Sequence, residues 1–178
     1  MMKRNLWITF ATIACLSAVT FALAQKKETE TPPTRVVPIE QDLLPVTKLE
    51  KSTAEWKTSL TAAQFAVLRE KGTERAGSSP LDREKRPGVF VCAGCGLPLF
   101  TSAMKFDSGT GWPSFFTTVP GAFGTNRDFK LIFPRTAYHC SRCGGHHGHI
   151  FDDGPEPTGL RYCNNGVALR FIPKTGKD

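Results

Sequence analysis

The stretch Gly88-Val89-Phe90-Val91-Cys92-Ala93-Gly94-Cys95-Gly96-Leu97-Pro98-Leu99-Phe100 carries the element on which the fold turns. Two β-type runs, Val89–Val91 and Leu97–Phe100, flank a Cys-x-x-Cys-Gly unit. A two-residue spacer lets both thiolates converge on one tetrahedral ion, and the glycine that follows permits a left-handed turn that aims backbone amides at sulfur. A second such unit, Cys140-Ser141-Arg142-Cys143-Gly144, follows after 44 intervening residues. Together Cys92, Cys95, Cys140 and Cys143 make a four-thiolate site for one zinc. The separation exceeds that of a compact ribbon, so the metal pins two distant β-hairpins and serves stability rather than chemistry. Two disulfides, which an oxidising compartment allows, or a redox pair are the other readings. A redox pair normally sits in a βαβ pattern, and none surrounds either unit. The duplication favours metal over both.

Outward from the knuckles the pattern stays β. Short runs at Phe129–Phe133, Ala137–His139 and Val167–Ile172 are separated by Gly and Pro, and in the last of them Leu169 and Phe171 alternate with Arg170. Upstream, Thr61 to Gly72 reads as one short helix, with Thr61 as N-cap, Gln64 three residues on and Gly72 as C-cap. Residues 25–52 are rich in Lys, Glu, Thr and Pro and hold no stable period, which predicts a flexible tether before a domain over 53–174. Residues 1–24 combine Lys3 and Arg4, an apolar run from Leu6 and a terminal Ala22-Leu23-Ala24, the layout of a secretory signal peptide. An uncleaved anchor and a lipidated Cys15 are the alternatives. The expectation is therefore an exported, periplasmic protein. Removing 24 of the 178 residues leaves 154, enough for one domain with a real core.

Forty per cent of the residues are hydrophobic and 22% are charged, with thirteen Phe, so the chain is globular. The net charge of +7 falls to +5 without Lys3 and Arg4, and the cations are dispersed rather than clustered. No nucleic-acid partner is expected.

With the knuckles and Cys15 set aside, one cysteine remains, Cys163. Arg161 precedes it by two residues, Asn165 follows by two, and His146 and His149 lie shortly upstream. A thiol near a guanidinium and imidazoles is expected to have a lowered pKa and to act as a nucleophile. A buried structural cysteine is the bland alternative, and His146 and His149 could equally be ligands or loop residues.

Three blocks go further: Gly109-Thr110-Gly111-Trp112-Pro113-Ser114-Phe115, His146 to Gly154, and Pro157 to Asn165. In order and spacing, with Lys105–Ser108 and both knuckles, they resemble the signature blocks of B-type methionine sulfoxide reductases, over about Ala54–Phe171. The resemblance implies a mainly β fold of two antiparallel sheets (a β-tent) with a short N-terminal helical arm and a four-cysteine zinc site far from the active site. It implies reduction of the R epimer of methionine sulfoxide in proteins or peptides, by a monomer recharged by a thioredoxin-like thiol reductant. Cys163 would attack the sulfoxide sulfur and become a sulfenic acid. His146, His149 and Asp153 would manage the proton, Arg161 would hold the thiolate, Asn165 would orient the network, and Trp112 and Phe115 would receive the substrate.

The departures from that family are local. Thr110 stands where many members carry a resolving cysteine, so Cys163 is expected to be reduced directly by an external thiol. Gly166 replaces a common serine, Ile132-Phe133 replaces Gly-Met, and Ala137 stands where Glu is frequent. Two other classes compete: a binding module using the Trp112 pocket without turnover, and a zinc-ribbon partner-binding protein. The first has no need of an activated thiol, and dispersed charge speaks against the second.

Overall fold

The computed structural model describes residues 46–130 and 133–175. The expected export segment and most of the tether lie outside these residues. The tether's last part, from Val46, packs on the domain: Leu49 N–H donates to the Arg142 carbonyl at 2.8 Å, and Lys48 Nζ reaches the Ser141 carbonyl.

Two helices follow where one is expected. α1 (Thr53–Ser59) starts at a capping box in which Ser52 and Glu55 satisfy each other's backbone N–H. α2 (Ala62–Leu68) repeats the device with Thr61 and Gln64. Its stop differs from the expected Gly72 cap. Lys71 takes the left-handed conformation, at φ 57°, and Gly72 N–H closes back on the Ala66 carbonyl. Glycine is needed one place later because a Cβ at 72 would lie 2.9 Å from that carbonyl oxygen.

The remainder is β. β1 (Gly88–Cys92) pairs with β2 (Pro98–Thr101) and with β9 (Leu169–Pro173) in a three-stranded antiparallel sheet. The larger sheet contains β3 (Lys105–Phe106), β4 (Ser114–Phe115), β5 (Phe123–Asp128), β6 (Arg135–Cys140), β7 (His146–Phe151) and β8 (Arg161–Asn164). Its order is β3-β4-β8-β7-β6-β5, with every pairing antiparallel. Between the sheets an aromatic core forms. Phe115 stacks on Phe100 at 3.8 Å, and Phe90 meets Phe115 edge-on at 5.1 Å.

One expected strand is displaced. β5 ends at Asp128, and of the expected run Phe129–Phe133 the described residues Phe129 and Phe133 lie outside any strand, 71% and 79% exposed, while 131–132 fall outside the described residues. The strand forms earlier, on Phe123–Asp128, where cross-strand register with β6 outweighs local hydrophobicity.

Candidate active site and metal centre

The knuckles join the two sheets. Cys92 ends β1 in the small sheet and Cys140 ends β6 in the large one. In each unit the first cysteine's carbonyl accepts from the glycine after the second cysteine, and Gly96 and Gly144 both take positive φ. The four Sγ atoms lie within 4.8 Å of one another, with Cys92–Cys143 at 3.7 Å and Cys95–Cys140 at 3.5 Å. A disulfide needs about 2.05 Å, whereas sulfurs at the corners of a tetrahedron with ~2.3 Å metal bonds stand roughly 3.8 Å apart. The geometry is that of a four-thiolate metal site. The helical arm covers it. Trp56 and Leu68 close over Gly94, where a Cβ would lie 3.5 Å from each, and Arg69 lies over the Trp56 ring while donating to the Cys143 carbonyl.

Cys163 sits about three residues along the large sheet from the Cys140 row, ~10 Å at strand rise. Its cross-strand neighbours are Ser114 on β4 and His149 on β7. Directly paired residues share a face, so Ser114, Cys163, His149 and Ala137 form one row across four strands. Gly148 lets β7 approach, since a Cβ there would stand 1.9 Å from the Cys163 carbonyl oxygen. A cleft of about 110 Å³ opens over the thiol, lined among others by Trp112, Arg135, His149, Phe151 and Asn165.

A β-bulge arranges the histidines. Tyr138 faces Gly148 but His139 faces His146, leaving His147 as the extra residue. Without it, residues 146 and 149 would point to opposite faces; with it their rings lie 5.4 Å apart. His147 turns inward, fully buried against Phe123 and Tyr138.

The charges around the thiol are paired with one another. Arg161 grips Asp153 through two bonds of 2.7 and 2.8 Å and covers the Phe151 ring. His149 Nε2 meets Asp128 Oδ2 at 2.6 Å, and Arg135 reaches the same oxygen at 2.9 Å. Hydrogen bonds from the Lys130 amide, His149 and Arg135 hold Asp128 well below the usual carboxylate range. An ionised carboxylate only accepts, so His149 Nε2 carries the hydrogen and Nδ1 is left basic. Burial lowers the His149 pKa and pushes His146 down to about 4. The expected low pKa of Cys163 is corrected here. Burial raises the thiol above its ordinary value, against the pull of the Arg161 charge and of hydrogen bonds from Thr110 and Arg161.

The model of the SelR domain matches residues 60–173. Peptide methionine sulfoxide reductase MsrB of Methanosarcina mazei is 49% identical over 134 residues, 74% of this chain and 96% of that protein. The protein of the same name from Agrobacterium fabrum is 50% identical over 127 residues, 71% of this chain and 94% of its own length. The chloroplastic peptide methionine sulfoxide reductase B1 of Arabidopsis thaliana is 49% identical over 118 residues, 66% and 58% of the two chains. The chain belongs to the SelR family, the B-type methionine sulfoxide reductases.

Of the residues singled out by that family's blocks, Cys163, His149, Trp112 and Asn165 meet at the cleft. Arg161 and Asp153 flank it. His146 does not line it; it opens instead on a neighbouring hollow with Lys71 and Asp128. Phe115, expected at the substrate, is a fully buried core residue. Asn165 turns from the thiol: its side chain donates to the His147 carbonyl and accepts from Glu74 N–H.

Three residues of this SelR-family site escaped sequence reasoning. Asp128 and Arg135 lie in a stretch with no β alternation, and Glu74 lies in a loop. Glu74 is the hub of that loop. Its carbonyl accepts from Trp112 Nε1, and its carboxylate caps Gly166 and Val167. The family's serine is absent at 166 for a steric reason, because the Ser79 hydroxyl lies 2.0 Å from where a Cβ would stand.

Proposed function

We propose that the protein reduces the R epimer of methionine sulfoxide to methionine, with Cys163 as nucleophile. The observation that carries this reading is the thiol's position in a cleft between the Trp112 indole and the His149–Asp128 pair. The indole offers a flat apolar surface to the substrate's methyl group and sulfur.

The raised thiol pKa suits this reaction, which is proton-neutral from the thiol. His149 Nδ1 takes the Cys163 proton as Sγ attacks the sulfoxide sulfur, and Asp128 stabilises the imidazolium that results. The proton passes to the sulfoxide oxygen. The sulfoxide S–O bond and the transient Sγ–S bond then break as the oxygen passes to Sγ, which leaves Cys163 as a sulfenic acid and the substrate sulfur, two electrons richer, as a thioether. Arg161 and the Thr110 hydroxyl, both beside the Cys163 sulfur, stabilise the charge that develops there.

Regeneration takes two external thiols. The first displaces water from the sulfenic acid to give a mixed disulfide; the second releases Cys163. Thr110 supports this route, since its hydroxyl stands beside Cys163 where a resolving thiol would have to be. The donor is a thioredoxin-like protein or a small thiol. The four knuckle cysteines hold structural zinc, which supplies no chemistry to the reaction but fixes β1 to β6. The enzyme acts as a monomer on exported proteins, delivered by residues 1–24.

The test is intact mass after one turnover without reductant. The expected product is one added oxygen, trapped by dimedone on Cys163. Loss of two hydrogens, mapping to a disulfide between Cys163 and a knuckle cysteine, would contradict the one-cysteine cycle.

A further inference from the structure

Behind the His146–His149 pair the surface changes character. A hollow of about 320 Å³, whose lining includes Lys71, Asn126, Arg127, Lys130 and His146, adjoins a second of about 540 Å³. The two share Lys71, Asn126 and His146, so they form one trough from the Cys140–Cys143 knuckle to Asp128 at the edge of the Cys163 cleft. Its cations are Arg69, Lys71, Arg127 and Lys130. None is in an ion pair among the described residues. The one carboxylate in the lining, Asp128, is already held by His149, Arg135 and the Lys130 amide.

We propose that this trough binds the acidic part of a polypeptide substrate next to its oxidised methionine. The inference rests on the reading of Cys163 as the reducing thiol. The geometry favours the substrate over the reductant as occupant. The His146 and His149 rings, 5.4 Å apart, separate trough from cleft, and an extended chain advances ~3.3 Å per residue. The row of Cys163, His149 and Ala137 continues to Asn126 in the trough, three strand spacings or ~14 Å away, so a peptide with its sulfoxide side chain over Cys163 lays residues about four places away over the trough. Aspartate or glutamate there meets unpartnered cations, and lysine meets repulsion.

The experiment compares three peptides carrying one R-sulfoxide, flanked at those positions on both sides by glutamate, serine or lysine. Each is reduced with dithiothreitol, a small neutral reductant, and free methionine-R-sulfoxide serves as reference. The glutamate peptide should exceed the lysine peptide in kcat/KM by roughly tenfold at low salt, with most of the gap lost at ~0.5 M salt. The difference should fall on KM. Lys71→Glu/Arg127→Glu should reverse the order while leaving free methionine sulfoxide unchanged, and Lys71→Gln/Arg127→Gln should abolish it if the reversal variant folds poorly. Equal use of all three peptides would overturn the trough as a substrate site. So would a charge-reversal effect absent with dithiothreitol and seen only when the same peptides are assayed with a thioredoxin as donor. No reduction of any peptide or of the free sulfoxide would instead remove the underlying enzymatic reading.

Discussion

Glu74 makes four hydrogen bonds from one position, two through its backbone and two through its carboxylate. They connect Trp112, Asn165 and the 3-10 turn Gly166–Ala168 that follows the Cys163 strand. The indole wall and the strand bearing the thiol are thus set by a residue on neither. Charge-assisted bonds to buried amides contribute about 1.5–3 kcal/mol each. Glu74→Ala should lower stability by roughly 2 kcal/mol and raise KM for a sulfoxide peptide more than it lowers kcat. Glu74→Gln, which keeps an acceptor, should recover most of both. A Glu74→Ala variant with unchanged KM, measured by steady-state kinetics, would show that the loop does not position the indole.

At the scale of elements, the parts readable from sequence are those with local signatures. Each knuckle is a complete local motif, with its spacer and its left-handed glycine, and the structure repeats it twice. α2 was legible from its capping box; α1 carries the same signal in Ser52 and Glu55 but sits at the edge of a polar stretch that reads as tether. β7 and β8 were not legible as strands. They carry His146, His147, His149, Arg161, Cys163 and Asn164, and chemistry on one face with a buried bulge on the other erases the period-2 pattern. Asp128 could be paired with His149 only through the register of three strands. The knuckle, by contrast, makes a direct prediction. Because it fixes β1 to β6, loss of one ligand should unfasten both sheets. Cys143→Ala should lower stability by several kcal/mol and abolish stoichiometric zinc, since metal binding is coupled to folding. Elemental analysis together with denaturant melts checks this; full stability without metal would refute it.

The molecule as a whole keeps two histidines neutral in its interior. Burial pushes His146 down to about 4 and His147 to about 3, and neither His147 ring nitrogen has a hydrogen-bond partner among the described residues. Above pH ~6.5 both are neutral folded or unfolded and stability is full. As pH falls from there towards 4, the unfolded chain takes up protons that the folded chain refuses, so stability is lost. Urea melts between pH 7.5 and 5 on zinc-saturated protein should show a falling midpoint at constant m. His147→Phe, an aromatic fit for the Phe123–Tyr138 surroundings, should flatten part of that dependence; an unchanged slope would exclude His147 as its source. On the proposed reading, the sheets, the four-cysteine clasp and the loop hub together set Cys163, Trp112 and His149 around one cleft. The most direct test of that account is to supply separate R and S epimers of a methionine sulfoxide peptide with dithiothreitol and follow each by chiral chromatography. The R epimer should disappear in the wild type and persist with Cys163→Ser, while the S epimer persists in both. Turnover of the R epimer by Cys163→Ser, or equal loss of both epimers in the wild type, would contradict it.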